Sequence, residues 1–187
     1  VYFYIQFGGV SEDMTEKFAP SLVRNQEGRQ IVAGQDGRYF NIWMNPDPDG
    51  PYGRSVLEQI EGLLKYTGAD GIALDRADRM DWAYGADQFD WGHFNGYSTV
   101  FEHEGSRRPV ASLSFEGRRW MLALRERLDR LNRKLLTNSS THLFVHRLVD
   151  GYMTEAGVDP FGWFLGKAMG NGKSYAITAH GRMNDIG

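Results

Sequence analysis

The sequence predicts an α/β chain, a (β/α)8 barrel represented by an incomplete set of about six parallel strands. Three observations carry that expectation. Short apolar runs alternate with segments of helical period, the pattern of a parallel sheet joined by crossover helices. Polar residues stand just past successive runs at Asn45, Asp75, Asn138, Glu155 and His180, as the carboxyl rim of a closed barrel requires, whereas an open doubly wound sheet gathers its ligand groups at one switch point. The chain has 187 residues, and a whole barrel takes about 250. Residues 1–187 therefore read as a single domain, one partial barrel lacking its first and last units.

The elements follow in order. Tyr2 to Phe7 is the opening strand, closed by Gly8-Gly9. Thr15 to Leu22 reads as a short helix broken at Pro20, and residues 25–38 as a polar, Gly-rich loop. Tyr39 to Met44 is the next strand, stopped by Asn45-Pro46-Asp47-Pro48-Asp49-Gly50, residues that cannot continue a ladder. The helix Ser55 to Tyr66 sets Val56, Ile60, Leu63 and Leu64 on one stripe and ends at Gly68. It feeds Gly71 to Leu74, a run too short for a helix and fit for a buried parallel strand. Asp75 then stands at the carboxyl end of that strand, where side chains leave the core of such folds and face a ligand.

After Asp75 the pattern lapses for about forty residues, a length that in compact domains marks a functional or disordered loop. Trp82, Tyr84, Phe89, Trp91, His93, Phe94 and Tyr97 argue against disorder. The stretch from Trp82 to Tyr97 is expected to fold back over the strand ends as a partial lid, with Trp82, Tyr84 and Trp91 either as platforms for a ligand's apolar face or as a lid that merely packs on the barrel. The helix Glu116 to Leu131 follows, with Trp120, Leu124, Leu128 and Leu131 on its core face. Then come the strand Lys134 to Thr137, the helix Ser140 to Leu148, the strand Gly151 to Thr154, the helix Gly162 to Met169 and the strand Ser174 to Thr178.

Composition narrows the function. At 41% hydrophobic and 24% charged the chain can build one sizeable core, and its net charge of −3 with no basic stripe excludes an electrostatic footprint for nucleic acid. It has no cysteine, hence no thiolate nucleophile, disulfide or Cys-ligated zinc. No run of about eighteen apolar residues offers a membrane span. The chain starts at Val1 directly in a strand and stops in a polar tail, and it is expected to be cut at both ends.

Two strands entered by Asp-Gly and closed by a carboxylate, at Asp70-Gly71 to Asp75 and Asp150-Gly151 to Glu155, point to acid/base chemistry at one rim. Glycoside hydrolysis needs such a pair, one to protonate the leaving oxygen and one to attack or to activate water. The competing reading is that both acids are salt-bridged rim residues, with Arg76 or Arg79 as partners. His142 and His146 have the i, i+4 spacing of a zinc pair, but Leu143 stands where H-E-x-x-H needs its Glu, so they are expected to be solvated helix histidines. Asp78, Asp81, Asp87 and Asp90 are expected to be a solvated acidic loop. Gly172-Lys173-Ser174 lacks the glycine spacing of a P-loop and precedes a strand instead of following one.

The succession Asp70-Gly71-Ile72-Ala73-Leu74-Asp75, Leu135-Leu136-Thr137-Asn138 and Leu148-Val149-Asp150-Gly151-Tyr152-Met153-Thr154-Glu155 resembles glycoside hydrolase barrels of the endo-α-1,4-polygalactosaminidase type and their relatives. The likeness spans about Tyr39 to Gly157, with Asn45-Pro46 matching the end of the preceding strand. It implies a carbohydrate substrate, no cofactor or metal, Asp75 and Glu155 as catalytic carboxylates and Asn138 beside the substrate, and it is compatible with a secreted or extracytoplasmic setting. Asn45, Arg76, Asp78, Trp82, Tyr84, Trp91 and His180 complete the expected substrate contacts. The sequence departs from the family pattern in having Arg76 directly after the Asp and a long aromatic loop beyond it. Within the pair, Asp75 beside Arg76 suits the ionised nucleophile or base, and Glu155 followed by Ala156-Gly157 suits the acid. A non-catalytic carbohydrate-binding barrel and a metal-dependent barrel hydrolase are the alternatives.

Overall fold

The computed structural model describes residues 1–33, 41–75, 89–94, 98–138, 143–154 and 174–177. Five strands build one parallel sheet: β1 (Tyr2–Gln6), β5 (Gly71–Asp75), β9 (Lys134–Asn138), β10 (Gly151–Thr154) and β11 (Ser174–Ile177), neighbours in that order. Spatial order repeats chain order, which is the topology of consecutive β/α units. The registers Gln6↔Asp75, Leu74↔Thr137 and Met153↔Asn138 bring the carboxyl ends of the first four strands to a common level. Among the described residues β1 and β11 are the edges of this sheet, and no pairing closes it.

Side chains alternate across each strand, and residues in register share a face. Ile72, Leu74 and Leu135 turn to the helices and are fully buried, with Phe3 and Ile5 beside them. The helices α1 (Pro51–Thr67) and α2 (Leu113–Arg130) supply the other half of this core through Leu57, Ile60 and Leu64 and through Trp120, Met121, Leu124 and Leu128. Each such side chain taken from water contributes about 1.5–3 kcal/mol. The expected stripe of α2 is the observed one, whereas on α1 Leu57 and Tyr52 are buried where Leu63 was expected. Gly68 ends α1 in the left-handed region (φ 68°), its N–H bonding the Leu64 carbonyl at 2.9 Å, as the sequence indicated. Gly71 is required at the start of β5, since a Cβ there would lie 2.1 Å from the Lys134 carbonyl oxygen.

Three expectations are corrected. The run ending at Met44 is not a strand of the parallel sheet. Asn41–Trp43, here β4, pairs antiparallel with β2 (Gly9–Val10) and β3 (Val32–Ala33) in a separate three-stranded sheet. Of the six expected strands, five therefore make the parallel sheet, and Asn45 follows a strand outside it. The helix expected over Thr15 to Leu22 is a turn followed by one short 3-10 helix, Ala19–Ser21, which contains Pro20, and another, Glu12–Met14, precedes it. The lapse after Asp75 contains a third sheet, with β6 (Phe89–Asp90), β7 (Ser98–His103) and β8 (Ser106–Ser112) in the order β6-β8-β7. Glu104 (φ 49°) and Gly105 (φ 74°) turn the β7–β8 hairpin as a two-residue loop with both central residues at positive φ.

The helix expected over Ser140 to Leu148 is described as α3 (Leu143–Leu148). His146 is buried there, against the expectation of a solvated histidine, and His142 lies outside the described residues. The expected helix Gly162 to Met169 also lies outside them. No described helix is long and apolar enough to cross a membrane.

Candidate active site at the carboxyl rim

On the face of the sheet opposite the helices stand Tyr2, Tyr4 and Gln6 from β1, Ala73 and Asp75 from β5, and Leu136 and Asn138 from β9, by register and alternation. At the rim the Asn138 side chain joins two of them. Its Nδ2 donates to Asp75 Oδ1 at 3.0 Å and to the Tyr4 hydroxyl at 2.9 Å. A carboxylate only accepts, so the amide must present its NH2 group to Asp75, which fixes the orientation of Asn138. Asn138 is 2% exposed, whereas Tyr4 is 54% exposed on the open face. A buried neutral donor thus holds one oxygen of a partly exposed acid, an arrangement that aims the carboxylate. Hydrogen bonds to charged groups of this kind are each worth about 1.5–3 kcal/mol.

The fold explains why these residues meet. Asp75 ends β5, Asn138 ends β9, and the parallel register carries both to one level on one face. Tyr4 lies two residues before Gln6, the partner of Asp75, so its ring reaches up the same face. Sequence reasoning missed Tyr4. The signal was present in the alternation Tyr2-Phe3-Tyr4-Ile5-Gln6, in which Tyr and Gln share one parity and Phe and Ile the other.

The remaining expected contacts divide into two groups. Arg76, Asp78, Trp82, Tyr84, Glu155 and His180 lie outside the described residues. Asn45 and Trp91 are described, and they belong to a second polar cluster centred on Asp90. Asn45 is buried, its Nδ2 donating to Asp90 Oδ2 at 2.9 Å and its Oδ1 accepting the Asp47 N–H at 3.0 Å. Trp91 is half-buried, and its backbone N–H donates to the Arg24 carbonyl at 2.9 Å. Asp90 itself is fully buried, which overturns the expectation that it is a solvated loop acid. Among the described residues no group of three or more His, Asp or Glu side chains could hold a metal ion.

At the opposite end of the sheet, Asp150 accepts the Leu135 N–H at 2.9 Å, Arg125 Nη1 at 2.8 Å and Lys134 Nζ at 3.2 Å. Burial pushes its carboxyl up, but the Leu135 N–H, Lys134 and Arg125 outweigh that and hold it below the usual carboxylate range. The Asp that enters a strand is thus a brace, and the acid that leaves one is the candidate for chemistry.

The chain is similar in fold to the α-galactosidase of Thermus thermophilus. Against that enzyme in complex with p-nitrophenyl α-D-galactopyranoside the TM-score is 0.52 at 14% identity, over 94% of this chain and 32% of the enzyme. Against the same enzyme in complex with stachyose the TM-score is 0.52 at 14% identity, over 91% and 32%. At such identity the likeness is one of fold, and the chain spans about a third of the length of these relatives. No family model matches the chain, and no curated protein matches it in sequence.

Proposed function

We propose that this chain is the catalytic part of a glycoside hydrolase in which Asp75 and Glu155 are the working carboxylates. The observation that supports it most is the setting of Asp75: an acid at the carboxyl end of an inner strand of a parallel sheet, aimed by a buried amide, in a fold like that of a glycosidase. Glu155 enters by sequence and parity. It follows β10 directly, and Met153, two residues earlier, is in register with Asn138. A spacing of about 5 Å between the two carboxyl groups gives retention and one of about 6.5–9.5 Å gives inversion. In this reading Asp75 is the nucleophile or base and Glu155 the general acid, with Asn138 positioning Asp75.

The motif likeness is to barrels of the polygalactosaminidase type, and the fold likeness is to an α-galactosidase. An α-linked, galactose-configured saccharide is accordingly the first substrate class in the proposal. Arg76, Asp78, Trp82, Tyr84 and His180 remain proposed sugar contacts, while Asn45 is engaged at both ends of its amide and is assigned to structure instead.

The test is hydrolysis by the complete protein of p-nitrophenyl α-D-galactopyranoside, stachyose and α-1,4-polygalactosamine. Asp75→Asn and Glu155→Gln are each expected to lower turnover at least about a thousandfold with the fold intact, and azide is expected to rescue one of them in a retaining enzyme. Near-normal hydrolysis by either variant removes that residue from the mechanism. Sugar binding by the wild type with no turnover favours the non-catalytic carbohydrate-binding barrel.

A further inference from the structure

The described donors to Asp90 are other than the Asn138 amide that meets Asp75, and the Asp90 cluster concerns how residues 89–94 are fastened. Four donors converge on the buried Asp90 carboxylate. The backbone N–H groups of Gly92 (2.9 Å) and Arg24 (3.3 Å) meet Oδ1, while Asn45 Nδ2 (2.9 Å) and His93 Nδ1 (2.6 Å) meet Oδ2. His93 also lines a small cavity with Pro20, Ser21 and Asn45. The Asp90 carboxylate is an acceptor, and an imidazolium both donates to it from Nδ1 and brings a compensating positive charge. A single carboxylate thereby ties three parts of the chain to one another: residues 20–24, Asn45 after β4, and residues 89–94.

We infer that Asp90 and His93 form a protonation-dependent latch that fastens residues 89–94 to the turn at residues 20–24 and to Asn45. The physical ground is the cost of an uncompensated buried charge. With His93 protonated, Asp90 has a cation as well as neutral donors; with His93 neutral its described donors are all neutral, and burial becomes costly. Among the described residues Arg24 is a nearby cation, and its guanidinium is turned to the Gly28 carbonyl at 2.9 Å. Asp47 shares a cavity of about 120 Å³ with His93, Ser21, Asn45 and Phe94, and is itself paired with Arg119 at 3.0 Å.

The direction of the response follows from the same contacts. The hydrogen bond to Asp90 raises the His93 pKa; burial lowers it, the Asp90 charge and the Pro20 carbonyl raise it further, and Arg24 opposes them, leaving the net shift upward. A raised folded value means that the latch is fully present below the unfolded value of about 6.5 and is lost as pH rises through the folded value. The segment therefore loosens toward alkaline pH.

The test is an NMR titration of the full chain, whose five histidines are few enough to resolve, with His93 assigned through His93→Gln. Amide exchange is followed alongside at Gly92, which donates to Asp90, and at Trp91, which donates to the Arg24 carbonyl. His93 is expected to titrate above 6.5, with protection at both amides, corrected for intrinsic exchange, falling through the same titration. The fall should be up to about tenfold for each pH unit by which the folded value exceeds the unfolded one. In His93→Gln the protection should be weaker and flat with pH, and in Asp90→Asn the ring should titrate at or below its usual value. A wild-type ring titrating at or below 6.5, protection unmoved through its titration, or a raised His93 persisting in Asp90→Asn overturns the latch. The wild-type measurements decide the matter alone where a variant does not fold.

Discussion

Asp150 and Asp75 stand at opposite ends of the same parallel sheet and meet different chemistry. At the amino-terminal end, Asp150 is bound by a backbone N–H, an arginine and a lysine, and its carboxyl is held low. At the carboxyl-terminal end, Asp75 is bound by the neutral amide of Asn138, which is in turn tied to Tyr4. Cationic partners bind a carboxylate into the scaffold, because the proton or substrate that would engage it must first displace them. A neutral donor sets direction without adding a positive charge, and Asn138 is such a donor to Asp75 among the described residues. The repeated Asp-Gly strand entry is therefore a structural signature, and the chemistry is sought where those strands end.

Substitutions at the two ends should separate cleanly. Asp75→Asn preserves an oxygen that can accept from Asn138, so stability should change little while turnover falls at least about a thousandfold. The check is kcat beside a denaturant midpoint. Equal losses of stability and activity would erase the distinction between the two ends. The next largest effect is expected of Asn138→Ala, which frees Asp75 to leave its productive orientation. Misplacement of about 1 Å can cost about a hundredfold, so kcat should drop by that order with KM nearly unchanged. A change confined to KM would instead make Asn138 a substrate contact.

Asp150→Asn should show the reverse pattern, a loss of about 1–3 kcal/mol in stability with kcat of the folded fraction unaltered. Because the folded pKa is depressed, the stability this carboxylate supplies is complete above its unfolded value of about 4 and is lost as pH falls through the folded value. Urea midpoints measured down the acid limb should accordingly decline less steeply in the variant. Identical acid limbs would show that Arg125 and Lys134 do not act through Asp150.

Much of this contrast was legible in the sequence, and the illegible part has a common cause. The run Gly71 to Leu74 with its terminal acid, the stripe Trp120, Leu124, Leu128 and the stop at Gly68 are local patterns, and each became the expected element. The run ending at Met44 was equally apolar, but three paired residues carry no mark of strand direction. Its antiparallel partners at Gly9–Val10 and Val32–Ala33 are set by tertiary contact. The hairpin of β7 and β8 hid because its turn is Glu104-Gly105, not Asn-Gly or Asp-Gly, and most of β8 is exposed. Asp90 was misjudged for the same reason. Nothing adjacent to it in sequence announces that Asn45 and the Arg24 N–H will bury it. Asn138 was placed beside a substrate by family likeness, and only the register showed that its amide faces Asp75.

The smallest expected effect lies one bond further from the acid. Tyr4 accepts from Asn138 through its hydroxyl while its ring stays largely exposed on the open face. Tyr4→Phe deletes that acceptor and keeps the ring, so it separates the two roles the side chain could have. If Tyr4 acts by steadying Asn138, the loss is that of one neutral hydrogen bond, about 0.5–1.5 kcal/mol. This should appear as a two- to tenfold fall in kcat with KM unmoved and no further loss when combined with Asn138→Ala. If the ring instead carries substrate, Tyr4→Phe should be silent and Tyr4→Ala should raise KM, with effects adding to those of Asn138→Ala. Additivity of Tyr4→Phe with Asn138→Ala would break the chain from Tyr4 through Asn138 to Asp75, because two residues acting on the same carboxylate through one hydrogen-bonded path cannot be lost independently.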